Sequence, residues 1–439
     1  MIHDGDTIAA IATATGVGGV GIVRVSGPHA LDIVAGVLGV PADQLDRTVR
    51  VGWARDRDGA RIDQVLAFAM RAPASFTGED VAELHGHGGA HNLERLLATV
   101  LERGARVAEP GEFTRRAVGN GKLDLLRAEA LFEVIHAGSE RAWRLAQRNL
   151  GGRLGTAAQE LESRGLRILA EIEGRIDFPE EDIAAEDRRW IEAEIAALAE
   201  RCGQLAAGFR HGRALSQGVT VALVGPVNVG KSSLLNALVG KERALVAAKP
   251  GTTRDYLEVV DDWDGVAVTV IDTAGTRETP DEIEARGIAL GEQRVASADV
   301  ILIVNDHEHP WDDGTRFGDR ALVVRSKADL GGDVHGALAT SATTGQGLDE
   351  LKRRTLAIAG IADREGSEDA FVTTARQQAT AAAARDGFSA ALDAWRTQKV
   401  PEVIALELRQ GVHALAQLRG QEVGDRVLDE VFARFCIGK

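Results

Sequence analysis

Hydrophobic and polar positions change rhythm several times along the chain. Near the start, two short apolar runs, Ile8 to Ile11 and Val20 to Val25, flank the glycine-dense Gly16-Val-Gly-Gly-Val-Gly21, which reads as strand, tight turn, strand. Gln64 to Arg71 predicts another strand. Ser75 to Gly89 predicts a loop and a strand leading into a helix from His91 to Arg103. Short strands and helices mixed in this way predict an α+β domain over residues 1–118. No helix opens on the N-terminal glycines, so a dinucleotide-binding fingerprint is not indicated.

Past Gly121 the period lengthens. Leu123 to Ala137 and Glu140 to Arg175 read as helical, with a break at Asp177-Phe178-Pro179. Beyond Asp187, Ile191, Ile195, Leu198, Cys202 and Leu205 recur at steps of four and three, the seam of a helical bundle. Five apolar strands then alternate with helices: Val219 to Val224, Val266 to Ile271, Asp299 to Val304, Ala321 to Arg325 and Ala337 to Thr340. That alternation is the doubly wound α/β pattern. Helical periodicity returns over Ala370 to Ala394, Pro401 to Arg419 and Val423 to Phe435. The predicted architecture is therefore multidomain: a helical bundle in two parts, residues 119–216 and 363–439, with an α/β domain inserted at 217–362. The joints fall near Gln217 and in the charged Asp363 to Asp369.

Composition narrows the function. With 439 residues, 44% of them apolar, the chain can bury several cores. A net charge of −15 and 4% aromatic residues, one of them Tyr, exclude a broad surface that stacks and neutralises nucleic acid, so any such contact must be local. Two distant cysteines, Cys202 and Cys436, with neither CxxC nor metal-type spacing, indicate a reducing setting. The first residues lack a basic signal region and no apolar run spans a bilayer, so a cytoplasmic protein without membrane contact is expected. Cys436 occupies the prenylation position, but Gly438 and Lys439 argue against lipidation. Cys202 lies on the bundle seam and is expected to be a buried thiol. His85 and His87 have no third ligand nearby and are expected to be loop histidines rather than a metal site.

The chemistry concentrates in the inserted domain. Gly225-Pro-Val-Asn-Val-Gly230-Lys231-Ser232-Ser233 follows the predicted strand Val219 to Val224 and precedes a predicted helix to Val239, the context of a P-loop. Backbone N–H groups and the helix N-terminus would bind phosphate, Lys231 would reach the β- and γ-phosphates, and Ser232 would be a magnesium ligand. Downstream, Pro250-Gly-Thr252-Thr253-Arg-Asp255 fits a first switch whose Thr253 could also reach magnesium. Asp272-Thr-Ala-Gly275 would place an acid near the metal and the Gly275 N–H near the γ-phosphate. Ser326-Lys327-Ala-Asp329 follows a strand, and Asp329 can accept from the two guanine donors that adenine lacks. Ser341-Ala342 completes the base site. Four such segments in order identify a GTP-binding domain.

Thr276 stands where Ras-like enzymes carry a water-positioning glutamine, so another residue must take that role, and the acids Glu278, Asp281, Glu282 and Glu284 follow it. Asn228 could join phosphate oxygens around a monovalent cation. An asparagine there also simply suits a tight turn.

Several strings together carry a family resemblance: Gly18-Gly-Val-Gly-Ile22 with Arg24-Val-Ser-Gly27, Ser75-Phe-Thr-Gly-Glu-Asp80, His85-Gly-His-Gly-Gly89, Pro110-Gly-Glu-Phe113, Lys122-Leu-Asp-Leu125, Ile176-Asp-Phe-Pro179 and Phe435-Cys-Ile-Gly-Lys439. Over its whole length the chain resembles the MnmE (TrmE) family of bacterial tRNA modification GTPases. The resemblance implies an N-terminal domain that dimerises and binds 5-formyl- or 5,10-methylene-tetrahydrofolate, a discontinuous helical domain, and a potassium-activated GTPase domain using Mg2+ and K+. It further implies a homodimer working with the flavoprotein MnmG to install an aminomethyl or carboxymethylaminomethyl group on C5 of the tRNA wobble uridine. By position, Arg24, Glu83, Lys122 and Lys439 match folate contacts, Asn228 a potassium ligand, Ser232 and Thr253 magnesium ligands, and Glu284 the water-orienting acid. Cys436 matches a cysteine near the folate pocket, with packing and chemical roles both open.

Three departures stand out. Ser326 replaces the usual asparagine and lacks an amide's paired donor and acceptor, so nucleotide affinity and loop tethering are expected to suffer. Val17 replaces an arginine. The connection from Val304 to Ala321 shows little helical signal, so a crossover helix is expected to be missing. A ribosome-assembly GTPase would share the nucleotide motifs but would carry a basic RNA-binding module, for which this acidic chain shows no sign.

Overall fold

The computed structural model describes residues 5–14, 16–177, 185–239, 245–246, 257–272, 294–308, 315–331, 336–361 and 371–438. Contacts divide the chain into two units, Met1–Phe132 with Arg419–Lys439, and Glu133–Leu418.

In the first unit, strands β1 (Ile8–Ile11), β2 (Gly21–Ser26), β3 (Arg50–Arg55), β4 (Arg61–Met70), β5 (Val81–Gly86) and β6 (Arg106–Val107) form one sheet in the order β3-β4-β5-β2-β1-β6. All its pairings are antiparallel except β1 with β6. The period of two is plain in β4, where Asp63, Val65, Ala67 and Ala69 are buried and their neighbours are not. Two helices, α1 (Ala30–Leu38) and α2 (Ala90–Leu101), cover one face and bury Val23, Val25, Val34, Val65, Leu84 and Leu96. Two further helices, α3 (Glu112–Gly119) and α4 (Leu125–His136), follow.

The stretch from Arg419 onward groups with the first unit, where it meets α4, a helix of the predicted helical part 119–216. Phe432 and Phe435 pack with Leu125 and Ala128, Arg115 pairs with Asp429 at 2.7 Å, and the Gly111 N–H donates to the Cys436 carbonyl.

The second unit begins with α5 (Glu140–Leu150) and α6 (Arg153–Asp177), separated at Gly152, whose φ of 91° ends what the sequence suggests is one long helix. Then come α7 (Ala185–Ala207) and α8 (Phe209–Gln217). The α/β insertion comprises β7 (Val219–Val224), α9 (Lys231–Val239), β8 (Leu245–Val246), β9 (Leu257–Trp263), β10 (Val266–Asp272), β11 (Val300–Asn305), β12 (Ala321–Arg325), β13 (Leu338–Ala339) and α10 (Leu348–Ile358). Its sheet runs β13-β12-β11-β7-β10-β9-β8, parallel from β13 to β10 and antiparallel at β9 and β8. Parallel strands buried on both faces explain their unbroken apolar runs. In the Val304 to Ala321 connection the described residues hold only 3-10 turns over Thr315–Arg320 and no α-helix.

Two last helices, α11 (Ala375–Arg396) and α12 (Pro401–Leu418), return to the bundle, α11 packing on α7 and α12, and α12 on α6. Helix α11 starts at Ala375 rather than Ala370 because Thr374 and Gln377 form a capping box. On the seam, Ile191, Ile195, Leu198 and Cys202 are fully buried, and burial pushes the Cys202 thiol up to about 12. That makes it a core group rather than a nucleophile. No described helix is long and apolar enough to cross a membrane.

Helices α11 and α12 approach at Gly387, where an added Cβ would sit 2.6 Å from the Gly411 nitrogen, whereas nothing lies within 4 Å of one at Gly174. Gly387→Val is expected to lower stability by about 1–3 kcal/mol through overpacking. Gly174→Ala is expected to raise it by roughly 0.5–1 kcal/mol through helix propensity. Urea midpoints of the two variants check both signs.

Candidate functional site

The loop between β7 and α9 is built from left-handed residues: Gly225 (φ 155°), Asn228 (φ 67°) and Gly230 (φ 94°). A side chain at Gly225 would strike the Val304 carbonyl of β11, so this glycine admits the close approach of the neighbouring strand. Lys231 opens α9 and is buried; its Nζ donates to the carbonyls of Gly225 at 2.7 Å and Pro226 at 2.6 Å. Burial pushes its proton affinity down, and the Asp272 carboxylate partly opposes this. Next along α9, the exposed Ser232 donates from Oγ to Asp272 Oδ2 at 2.9 Å. The register explains the meeting: β10 runs parallel to β7 and ends on Asp272, opposite Leu223. Ser233 is also exposed on the first turn of α9.

The strand ends on the other side supply three more groups. Ser326, buried after β12, places its Oγ against the carbonyls of Val229 and, at 3.1 Å, Asn305. Its single proton can serve one of them at a time. The hydroxyl therefore still reaches the loop, though with one proton in place of an amide's paired donor and acceptor. Lys327 (φ 54°) donates from Nζ to the Asn228 carbonyl at 2.9 Å and to Asp306 Oδ2 at 2.7 Å. Asp329 exposes its carboxylate on the following 3-10 turn. The Ala328 N–H donates to the Thr340 carbonyl at 3.0 Å, and the buried Ser341 accepts from the Thr344 N–H at 3.2 Å, which brings Ser341-Ala342 beside the same strand end. Asp306, fully buried, carries one signal in the sequence, an acid two residues past the all-apolar run Val300 to Val304. Thr252, Thr253, Gly275, Glu284 and Lys439 lie outside the described residues. Among the described residues no cluster of three or more His, Cys, Asp or Glu could hold a metal.

In the first unit Arg24 and Glu83 stand opposite each other on β2 and β5, with Arg24 Nε donating to Glu83 Oε1 at 2.8 Å. The other carboxylate oxygen meets His85 Nε2 at 2.7 Å, and Arg24 also donates to the Gly438 carbonyl at 3.4 Å. Burial would raise the Glu83 carboxyl, but the hydrogen bonds from His85 and Arg24 outweigh it and hold the group below its ordinary value. Lys122 is not joined to this pair; it is exposed and donates to the Pro73 carbonyl at 2.9 Å. His87, just past β5, is a loop histidine and bonds Asp63 at 2.7 Å, whereas His85 lies on β5 itself, opposite Ile22 and Leu66, and corrects the loop expectation for that residue.

Comparison with known proteins decides the family. The description "MnmE helical domain" matches residues 125–436, and "GTP-binding protein TrmE N-terminus" matches residues 7–122. The tRNA modification GTPase MnmE of Moorella thermoacetica is 41% identical, over 99% of both chains. That of a Synechococcus species is 42% identical, again over 99% of both. The chain belongs to the MnmE family. Within MnmE, the two matched regions leave only a short gap and overlie both units, so the family resemblance read from the motif strings holds over the whole chain.

The N-terminal unit of this MnmE chain carries other carboxylates like Glu83. For Asp6 and Glu112, burial raises the carboxyl, while hydrogen bonds from Arg106 and Arg116 lower it by more. A folded value below the unfolded one contributes stability that is fully present above the unfolded pKa, about 4, and is lost as pH falls through the folded value. Calorimetry from pH 8 downward should therefore show an unfolding temperature that holds to about pH 5 and falls steeply below about 4.

Proposed function

We propose that this chain is a potassium-dependent GTPase. With a flavoprotein partner, it drives addition of an aminomethyl or carboxymethylaminomethyl group at C5 of the tRNA wobble uridine. The observation that carries the reading is the convergence of Lys231, Ser232, Asp272 and Lys327 on one left-handed loop in a member of a tRNA modification GTPase family. The Lys231 ammonium, held over the loop by two carbonyls, can exchange onto the β- and γ-phosphate oxygens. Ser232 and Asp272 would offer oxygen to Mg2+, which would neutralise charge on the transferring phosphoryl group; Thr253 would complete the set. The Asn228 side chain would ligate K+, Asp329 would select guanine, and Glu284 would orient the attacking water.

The folate reading draws support from Arg24 and Glu83, whose guanidinium and carboxylate suit the donor and acceptor edge of a pterin in 5-formyl- or 5,10-methylene-tetrahydrofolate. Because the two now satisfy each other, a folate must exchange with that pair. Lys122 and Lys439 would complete the pocket. The reading includes a homodimer, MnmG as the flavoprotein, and a cytoplasmic setting.

Hydrolysis rates in potassium and in sodium test the cation. Wild type is expected to turn over at least about tenfold faster in potassium, with Asn228→Ala losing that difference. Equal rates in both salts for both proteins would remove K+. Glu284→Ala should retain GTP binding while turnover falls by about 10² or more. For the overall function, wobble-uridine analysis of tRNA from a deletion strain should show unmodified C5, restored by the wild-type chain.

A further inference from the structure

Asp306 sits at the C-terminal end of β11 with no exposed surface, and burial of a carboxylate is costly unless it is paired. Its pair is Lys327, whose Nζ lies 2.7 Å from Oδ2 while the other carboxylate oxygen accepts the Glu308 N–H at 3.1 Å. The same ammonium donates to the Asn228 carbonyl at 2.9 Å. Both ends of this bridge are non-glycine residues in the left-handed region, Lys327 at φ 54° and Asn228 at φ 67°, a conformation that persists only where surrounding contacts over-determine it.

We infer that Asp306 is a positioning residue for the nucleotide site: it fixes the Lys327 ammonium, and through it the Asn228 carbonyl, so that a buried carboxylate just past β11 sets the shape of the phosphate loop. A four-carbon arm with one acceptor would sample many rotamers, and with two acceptors it is held. The need is greater here than with an asparagine at position 326. The Ser326 hydroxyl has one proton to divide between the Val229 and Asn305 carbonyls, which leaves the lysine bridge as the second tie between the base-binding strand end and the loop. The inference rests on the reading of this loop as a guanine-nucleotide site.

The test uses the full chain and release of N-methylanthraniloyl-GDP, measured for wild type, Asp306→Asn, Lys327→Met and the double variant. Each of the three variants is expected to release the nucleotide about tenfold faster than wild type, with the double no faster than the singles, as for residues acting through one contact. The double variant leaves no unpaired buried charge, so its unfolding temperature should match wild type while its release stays fast; a merely structural pair would not separate the two readouts. Wild-type release from Asp306→Asn or from the double variant, or a roughly hundredfold effect in the double, would overturn the inference alone. A wild-type chain that fails to bind the probe would overturn the reading of the loop as well.

Discussion

The phosphate loop exists in this protein because a strand is allowed to come too close for a side chain. Val304 of β11 presents its carbonyl where a Cβ on residue 225 would stand, and the loop can turn only around that point. Everything that follows adapts to the curl. Lys231 folds back over the loop onto its own carbonyls, Ser232 is delivered to Asp272, and Ser326 and Lys327 grip the loop from the end of β12. The grips come from four parallel strand ends, which is why the order β12-β11-β7-β10 matters more to the chemistry than any single motif.

The helical bundle has a different logic. Its four long helices are drawn from two stretches of sequence, and the nucleotide-binding sheet is spliced between α8 and α11. Such a splice requires the two exits of the insertion to lie together, and they do: Gly212 on α8 leaves room for the Val372 backbone, and the His211 ring sits 5.0 Å from that of Phe371. The short helix α8 also contributes Ala214 to the core of the insertion. One element thus belongs to bundle and sheet at once.

Much of this was legible beforehand, and the reasons are specific. The strands around the P-loop announced themselves because burial on both faces demands unbroken Val, Ile and Leu, and the bundle seam because Ile191, Ile195 and Leu198 keep one helical face apolar. What escaped was decided by partners distant in sequence. Strand β3 carries no strong alternation because its outer face is open, with Val51 and Leu66 paired and exposed. Helix α3 buries Glu112 and Arg116, which pair with each other at 2.9 Å, so a hydrophobic pattern could not reveal it. Asp306 reads as a strand terminator until Lys327 is seen beside it. Ser326 reaches the Val229 carbonyl of the loop, a contact that the absence of an amide does not reveal in the sequence.

The docking of Phe432, Phe435 and Gly438 onto the N-terminal unit bears on biogenesis. A ribosome emits the sheet, α3 and α4 first, then the whole of the bundle and its insertion, and only afterwards the segment that covers Leu125 and bonds Arg24. The first unit to be synthesised is therefore the last whose contacts can be completed. Until then the apolar residues Leu125 and Ala128 of α4 lack the aromatic cover of Phe432 and Phe435 while the second unit is being made.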